Sequence, residues 1–359
     1  MTGMRTKDFY FDLPPELVAQ RPSDVRGDDR LMVLDRATGA VRHCVMQNLP
    51  DLVEPGTLMV FNNSRVRRSR CYGVREDTGR GQEFLFLARK PSQKGAAGEC
   101  WQTMVRGAKK VRVGHRYRFA DGSVGVVESD EAENGTEFRT VCFDCALDED
   151  WFERNGHIPL PPYIRRADDD TDSERYQTVF ATETGSSACP TAGLHFTEAM
   201  LERLRTRGID IAFVTLHVGL GTFLPVRAER VEEHRMHEEV YSVPPETAAK
   251  IEDAKRAGRA VLAVGTTSVR TLESAAVPDE RVPGSWRVRA GVGATSIFMY
   301  PGYQFKIVEQ LFTNFHTPES TLLMLVSAFA GREHILAAYR AAVEQRYHFF
   351  SYGDAMLIR

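Results

Sequence analysis

The sequence of 359 residues lacks the signals of several large protein classes. It has no run of about eighteen apolar residues, which a membrane-spanning helix needs. Its first residues contain no apolar stretch of the kind found in signal peptides. A GxGxxG fingerprint, a Walker loop and internal repeats are also missing. These absences predict a cytoplasmic protein without a membrane partner.

Cysteine is sparse, with six residues in the chain. Only Cys142 and Cys145 have CxxC spacing, and the second such pair of a structural zinc site is missing. We therefore expect reduced thiols and no metal. The net charge of −3 excludes a general basic field, so RNA would have to be held by a local basic patch.

Short runs rich in aromatic and β-branched residues fill residues 70–144, with turn sequences such as EDTGRGQ and ADG between them. Many short strands at close spacing are typical of a small barrel or sandwich. Strand-like and helix-like segments alternate over the last two hundred residues or so, which favours an α/β domain. The sequence thus predicts an α/β fold (mixed α+β). Residues 1–66 and 150–359 would form the larger α/β domain, and residues 67–149 an inserted β-barrel domain.

Capping residues predict where individual elements begin and end. A helix is expected from Thr197, an N-cap residue, to Arg207, with Gly208 after it. Another is expected over 148–155 with Gly156 at its end, and a short one from Pro14 to Gln20. Residues 31–35 and 40–45 read as a hairpin, and 57–64 as one strand.

Three histidine motifs follow or precede predicted strands, where sites of α/β proteins form. In CPTAGLHF, His195 is a candidate acid or base, although a capping turn with a core histidine explains this motif alone better. In TLHVGLGTFLPV, His217 follows a buried strand and Gly219 allows close backbone approach, with a plain turn as an equal alternative. In EHRMHEE, His234 and His237 lack a third metal ligand, which favours charge-paired histidines on a loop.

Two further blocks combine polar and aromatic groups. In VGTTSVRTLES, a strand delivers Thr267 and Ser268 to a helix start, and Arg270 could clamp a carboxylate; an ordinary N-cap with a surface arginine is equally consistent. Residues 295–320 are rich in aromatic rings that could frame a purine or a sulfonium, or simply form core. The polar groups Lys306, Asn314 and His316 among them favour a site.

A basic run, NNSRVRRSR, lies at residues 62–70. Its arginines could grip phosphates, although a solvated charged strand explains a lone run better. The candidate phosphate-binding residues, which would contact a bound nucleic acid, are Arg65, Arg67, Arg68, Arg70, Arg165 and Arg166.

Taken in order, these blocks resemble the S-adenosylmethionine:tRNA ribosyltransferase-isomerase family of the queuosine pathway. The matching stretches include DFYFDLPPELVAQRP, PGTLMVFNNSRV, GHIPLPPYIRR, PTAGLHFTEAMLERL, AVGTTSVRTLES, FTNFHTPES and FFSYGDAMLI. They span nearly the whole chain. The chain departs from the family pattern where Arg67 and Arg68 replace the usual Ile-Pro after FNNSRV. It also carries Cys189 where a small apolar residue is more usual.

The resemblance implies that S-adenosylmethionine (AdoMet) is consumed as a ribosyl donor, with no cofactor. The acceptor would be 7-aminomethyl-7-deazaguanine at the wobble position of tRNA with a GUN anticodon, and the products epoxyqueuosine in tRNA, adenine and methionine. A monomer is expected. The alternatives are an AdoMet-dependent RNA methyltransferase, which would release S-adenosylhomocysteine, and an inactive or retargeted tRNA-binding homologue.

The implied chemistry needs a base at the ribose 5′ carbon and an acid for the leaving adenine. Because histidine titrates near neutrality, the expected catalytic residues are His195, His217, His237 and His316. The residues expected to bind AdoMet or the deazaguanine are Thr191, Gly193, Gly219, Thr222, Thr267, Ser268, Arg270, Tyr300, Tyr303, Lys306, Asn314, Phe315 and Asp354.

Overall fold

The computed structural model describes residues 3–90, 98–129, 137–219, 226 and 228–359. Its strands are β1 (Arg30–Leu34), β2 (Val41–Val45), β3 (Leu58–Asn62), β4 (Ser64–Val66), β5 (Arg70–Arg75), β6 (Gly81–Lys90), β7 (Cys100–Val105), β8 (Arg116–Arg118), β9 (Val124–Ser129), β10 (Phe138–Phe143), β11 (Gly156–His157), β12 (Glu183–Ser186), β13 (Asp210–Leu216), β14 (Glu239–Val243), β15 (Val261–Val264), β16 (Ala276–Pro278), β17 (Trp286–Val288), β18 (Gly291–Thr295), β19 (Gln310–Asn314) and β20 (Ala355–Ile358). Its α-helices are α1 (Leu49–Leu52), α2 (Glu149–Asn155), α3 (Asp170–Arg175), α4 (Glu198–Thr206), α5 (Pro245–Arg256), α6 (Thr266–Ser274), α7 (Thr321–Ala330) and α8 (Arg332–Glu344).

A nine-stranded sheet runs in the order β18-β14-β13-β3-β15-β19-β20-β1-β2. Its central strands β13, β3, β15 and β19 are mutually parallel. Strands β3 and β15 are buried at every residue, because their continuous apolar sequences are covered on both faces. Residues of α5 to α8 join the core on one face, and residues of α1 and α4 join the core on the other. The alternation of strands and helices predicted for the last part of the chain is confirmed.

A closed six-stranded antiparallel barrel is formed by β5-β6-β7-β10-β9-β8, with β5 pairing back to β8 and β11 attached to β5. Its interior is packed with aromatic rings, including Phe86, Trp101 and Trp151. The mixed α/β class with a small barrel is therefore confirmed. All seven strands of this sheet lie between residues 70 and 157.

One disulfide, Cys100–Cys142, joins β7 and β10. The expectation of reduced thiols was wrong for this pair. The antiparallel register places the two residues directly opposite each other, with their Cα atoms 4.0 Å apart. The CxxC spacing was misleading because Cys145 lies beyond the end of β10 and is a free thiol.

Most of the predicted boundaries agree with the structure. Thr197 caps α4 by accepting from the Met200 amide, and Gly208 follows with φ of 76°. The β1–β2 hairpin is present as predicted. Two predictions were wrong: the helix at Pro14 is only a 3-10 turn, Pro15–Leu17, and the strand over 57–64 is broken after Asn62. The break arises because β4 leaves the large sheet to pair with β12.

Within the described ranges, no single helix is long and apolar enough to cross a membrane. Helices α7 and α8 taken together are long and apolar enough, but the chain bends by 115° between them.

Candidate functional site

The main cavity of the described chain measures about 330 Å³ and lies at the carboxyl ends of the parallel strands. Four segments that follow strands or turns line it: 189–192, 265–267, 313–322 and 350–351. Open α/β sheets bind ligands at this edge, because the loops there are free to carry function while the strands fix their positions. The volume falls within the range of about 300–1,000 Å³ that is typical of small-molecule sites.

Two helix N-termini converge on this cavity. Gly265 and Thr266 at the start of α6 line it, as do Ser320 and Thr321 at the start of α7. Gly265 has φ of 86°, a conformation that glycine adopts without strain, so the chain turns sharply from β15 into α6. Ser320 caps α7 by accepting from the Leu323 amide, whereas α6 has no side-chain cap among the described residues. The aligned peptide dipoles of both helices, together with the uncapped amides of α6, favour an anionic group in the cavity.

The side chains on the wall are mostly neutral. Glu319 is the one charged side chain among the described residues that line the cavity. Thr267 also lines it, and its buried hydroxyl has no hydrogen-bond partner among the residues that the structure describes. Because Glu319 is a single carboxylate on a largely uncharged wall, the cavity is suited to a ligand with one cationic group beside Glu319.

His195 lies behind the cavity wall, in the 3-10 turn Thr191–His195, and is 2% exposed. Its Nδ1 lies 2.7 Å from Asp29 Oδ2, and its Nε2 lies 3.0 Å from Asn314 Nδ2. Burial alone would raise the pKa of Asp29, but its interaction with His195, which includes a hydrogen bond, outweighs burial and holds that pKa below its ordinary value. Asp29 is therefore a carboxylate, and His195 Nδ1 donates to it.

His316 lines the cavity itself. Its Nε2 lies 3.0 Å from Thr313 Oγ1, and its backbone N–H donates to Tyr339 Oη at 3.0 Å. Burial lowers the pKa of His316 to about 3. The imidazole is therefore neutral at physiological pH, and it acts as a neutral hydrogen-bonding group rather than as a cation.

A stacked pair of rings separates the cavity from an adjoining groove. Tyr163 and Phe350 have centroids 4.2 Å apart and planes inclined by 17°, and the Tyr163 hydroxyl is hydrogen-bonded to Ser351 Oγ at 2.6 Å. Both rings, together with Pro318, also line a groove of about 580 Å³. Exposed residues such as Tyr10 and Arg165 form the other side of that groove.

The other two histidines predicted to be catalytic lie elsewhere. His217 is half-buried against Gly185, and burial, followed by the charge of Arg67, lowers its pKa. His237 is exposed, beside half-buried His234. Neither His217 nor His237 lines the cavity. Their catalytic role stays a prediction, but the geometry brings only His316 to the wall and His195 directly behind it.

The predicted carboxylate clamp is already engaged. Arg270 is 4% exposed and forms a buried ion pair through Nη1 with Glu239, while its Nε and Nη2 have no partner within the described ranges. Burial lowers the pKa of Arg270 to about 10. Glu239 also accepts from the Gly219 amide at 2.9 Å. Ser268 donates to the Val264 carbonyl inside α6 at 2.8 Å.

The aromatic block divides into two parts. Phe315 lines the cavity, whereas Tyr300 and Tyr303 do not. The Tyr303 hydroxyl donates to Glu273 at 3.2 Å, and burial is the main cause of its raised pKa. Lys306 places its ammonium 4.7 Å from the centre of the Trp286 ring. These side chains form a cluster of their own outside the cavity.

Three more of the predicted binding residues are placed as follows. Asp354 is buried and accepts from the amides of Arg30 and His348 at 2.8 and 2.7 Å. Burial raises its pKa above the ordinary value. Gly193 packs against Thr178, where a Cβ would come within 2.7 Å of a methyl group. Thr222 lies outside the described residues.

The predicted RNA-binding arginines are largely paired within the protein. Arg67 is bonded to Glu149 through Nε and Nη2, with its guanidinium carbon 5.3 Å from the centre of the Trp101 ring. Three others also pair with carboxylates, namely Arg68 with Glu153, Arg70 with Glu83 and Arg166 with Asp172. Arg65 and Arg165 are exposed, and no ion pair to either is found in the described part of the chain. The unusual Arg67 is thus accommodated by the barrel.

Sequence reasoning missed several residues of the cavity wall: Tyr163, Thr313, Thr317, Glu319, Phe350 and Ser351. Tyr163, Glu319 and Ser351 fall in stretches that carry the family resemblance, which was an available signal. Among the described residues, the group of possible metal ligands is Cys100, Glu128 and Cys142, whose two sulfurs are bonded to each other.

Comparison with known proteins agrees with this architecture. The family model described as queuosine biosynthesis protein matches residues 6–358. The chain is 50% identical over 355 residues to a protein of Treponema denticola named S-adenosylmethionine:tRNA ribosyltransferase-isomerase, covering 99% of this chain and 100% of that protein. A protein of the same name from Geobacter metallireducens is 50% identical over 357 residues, with the same coverage.

A solved structure is similar as well. The crystal structure of S-adenosylmethionine tRNA ribosyltransferase from Thermotoga maritima is 35% identical and has a TM-score of 0.54. The match covers 98% of this chain and 100% of that one. The resemblance noted in the sequence is confirmed, and the chain belongs to the queuosine biosynthesis protein family.

Proposed function

We propose that this chain is an S-adenosylmethionine:tRNA ribosyltransferase-isomerase, which transfers the ribosyl group of AdoMet to 7-aminomethyl-7-deazaguanine at the wobble position of tRNA and isomerises it. The products are epoxyqueuosine in tRNA, adenine and methionine. The observation that carries the proposal is the 50% identity, over 99% of the chain, to relatives of that name. AdoMet is a consumed substrate, and no cofactor takes part. The protein acts as a monomer in the cytoplasm.

AdoMet occupies the cavity of about 330 Å³. The amides that start α6 and α7 suit the methionine carboxylate, and the Glu319 carboxylate suits the sulfonium or the ammonium group. Thr267 offers an unpartnered hydroxyl on the same wall. The cavity has the volume of a small-molecule site, which suits a free metabolite better than a base attached to RNA.

The tRNA base enters through the groove lined by Tyr10, Arg165, Tyr163 and Phe350. A splayed base stacks readily on an exposed ring such as Tyr10, and Arg165 and Arg65 supply cations for the backbone phosphates. Because Tyr163 and Phe350 line both compartments, the two substrates meet at this stacked pair.

Among the proposed catalytic histidines, His316 is the one that lines the cavity. Its imidazole is neutral, so it serves the departing adenine as a neutral hydrogen-bond donor rather than as a cationic acid. An imidazole with a strongly lowered pKa is also a weak base, so removal of the ribose proton falls to another group.

The test is to incubate the purified chain with AdoMet and tRNA carrying 7-aminomethyl-7-deazaguanine, followed by nucleoside mass spectrometry. Epoxyqueuosine together with an equal amount of free adenine is expected. Release of S-adenosylhomocysteine would instead identify a methyltransferase, and unchanged tRNA with folded protein would contradict the proposal.

A variant pair sharpens the assignment of the cavity. Glu319→Gln should raise the KM for AdoMet about tenfold or more, because a hydrogen bond to a charged group contributes about 1.5–3 kcal/mol. Glu344→Gln, at the exposed end of α8, is the matched control and should leave KM unchanged. An equal KM in both variants would place AdoMet outside this cavity.

A further inference from the structure

The amide of Asn314 is fixed on one side and open on the other. Its Nδ2 donates to His195 Nε2 at 3.0 Å and to the Phe350 carbonyl at 3.1 Å. Because a carbonyl only accepts, the nitrogen rather than the oxygen of the amide must face Phe350. Asn314 is 3% exposed and lines the cavity, and its Oδ1 is buried without any partner in the described structure. Buried polar atoms are nearly always paired, so this oxygen is suited to a ligand.

His195 is held so that it can only support Asn314. Its Nδ1 donates to the Asp29 carboxylate at 2.7 Å, which leaves Nε2 as an acceptor for the amide of Asn314. Both ring nitrogens are thereby engaged, and the ring does not line the main cavity. His195 thus has no ring atom left for a substrate bound there, and any effect on that substrate passes through Asn314.

We propose that Asp29 and His195 are positioning residues that hold Asn314 with its Oδ1 available to the cavity, where it accepts a hydrogen bond from an N–H or O–H donor on the nucleoside part of AdoMet. This inference rests on the proposed function. It replaces the acid–base role expected for His195, because both nitrogens of that ring are engaged by Asp29 and Asn314. It also assigns Asn314 to AdoMet rather than to the deazaguanine.

The positioning has a chemical purpose. An asparagine amide that is free to rotate by half a turn presents either an acceptor or a donor. The 6-amino group of adenine is a donor, and the ring nitrogens beside it are acceptors. Because His195 and the Phe350 carbonyl hold Nδ2, the Asn314 amide offers the cavity its oxygen and no N–H. Only a donor group on the ligand can form a hydrogen bond with it.

The test compares Asn314→Leu, Asn314→Asp, His195→Ala, His195→Gln and the Asn314→Leu/His195→Ala double variant. The KM and the equilibrium Kd for AdoMet should rise about three- to tenfold in Asn314→Leu, the loss of one neutral hydrogen bond, with kcat changing less. Asn314→Asp keeps the oxygen that faces the ligand but sets its second oxygen against the Phe350 carbonyl and His195 Nε2, which need a donor, so the Kd for AdoMet should rise in this variant as well. In the double variant, the KM and Kd for AdoMet should rise no further than in Asn314→Leu alone. His195→Gln retains an acceptor for the Asn314 amide and should therefore bind AdoMet more tightly than His195→Ala.

The matched control is Ser327→Ala. Ser327 is 1% exposed, and its hydroxyl, like Asn314 Oδ1, has no hydrogen-bond partner in the described structure. Ser327 lies in α7, away from the cavity wall. Its loss should leave KM and Kd unchanged. If His195→Ala fails to fold, Asn314→Leu against the Ser327→Ala control still tests the acceptor oxygen, and Asp29→Asn tests the support of the ring.

An AdoMet analogue with purine in place of adenine distinguishes the possible donors. If wild-type protein binds it three- to tenfold more weakly than AdoMet and Asn314→Leu does not, the 6-amino group is the donor. If wild type binds both equally while Asn314→Leu weakens both, a ribose hydroxyl is the donor; either result supports the proposal.

Three results would overturn it. One is an unchanged Kd in folded Asn314→Leu; another is a His195→Ala effect confined to kcat, as for a catalytic acid or base. The third is a rise in the KM for tRNA instead of AdoMet. Failure of the proposed function is separate, because it shows as absence of adenine release from the wild-type protein, while Kd for AdoMet is measured without turnover.

Discussion

The lowered pKa of His316 makes the stability of the protein depend on pH in a calculable way. The folded-state pKa is about 3, against 6.5 for a free side chain. Between these values the unfolded chain binds a proton at this site and the folded chain does not. The stabilising effect of keeping His316 neutral is therefore complete above pH 6.5 and decreases as the pH falls. For a pH change from 7 to 5, the decrease amounts to about 2 kcal/mol.

The perturbation that isolates this effect is His316→Gln, which removes the titrating group and keeps a polar side chain. Free energies of unfolding are measured by urea denaturation, followed by far-ultraviolet circular dichroism, at both pH values. The advantage of wild type over His316→Gln should be about 2 kcal/mol smaller at pH 5 than at pH 7. Ser327→Ala, buried but not titratable, should show the same difference from wild type at both values.

An advantage of wild type over His316→Gln that is the same at pH 5 and pH 7 would refute this reasoning. It would mean that the imidazole accepts a proton in the folded state, through solvent entry to the cavity or a carboxylate closer than the described contacts with Thr313 and Tyr339. A cationic His316 would then be available as an acid for the leaving adenine, and the proposed neutral role would have to be abandoned.

Three further predictions follow from the contacts. Glu239→Gln should destabilise the protein by about 3–5 kcal/mol in chemical denaturation, because it leaves the Arg270 charge buried, whereas replacing both residues by methionine should cost much less; equal losses would contradict this. Cys100→Ser, or reductant, should lower the free energy of unfolding by about 4 kcal/mol, since the disulfide closes a loop with a sequence separation of 42, and calorimetry should show a lower transition temperature; an unchanged transition temperature would argue against the bond. In fluorescence anisotropy, Arg65→Ala should lower the slope of log K for tRNA binding against log salt concentration by about one released counterion. Arg67→Ala should leave that slope unchanged, because Glu149 already holds the Arg67 guanidinium; the reverse pattern would assign the RNA contact to Arg67.

Local signals predicted much of the fold. Helix α4 followed from the N-cap Thr197 and from Gly208, both of which act on neighbouring backbone groups. The β1–β2 hairpin likewise depends on a turn within a few residues, where Gly39 takes φ of 73°. The break between β3 and β4 was not predictable, because the pairing of Ser64 with Glu183 depends on a segment more than a hundred residues away.

The candidate site likewise divides into residues that local sequence signals predicted and residues that depend on distant partners. Thr267 and His316 were found because each follows a strand closely, and strand ends meet at one edge of a parallel sheet. The stack of Tyr163 on Phe350 was missed, since nothing near either residue in sequence indicates the other. The engagement of Arg270 by Glu239 was missed for the same reason, because charge in a sequence does not show which partner it meets.

The ring pair Tyr163–Phe350 has a thermodynamic consequence for how two ligands sense each other. Each ring lines both the cavity and the groove, so a ligand that shifts the pair from one side changes the shape offered on the other. Such an effect is necessarily reciprocal: if AdoMet changes the affinity for tRNA by some factor, tRNA changes the affinity for AdoMet by the same factor. Through this shared ring pair, the two binding equilibria form a single coupled system whenever one ligand displaces a ring.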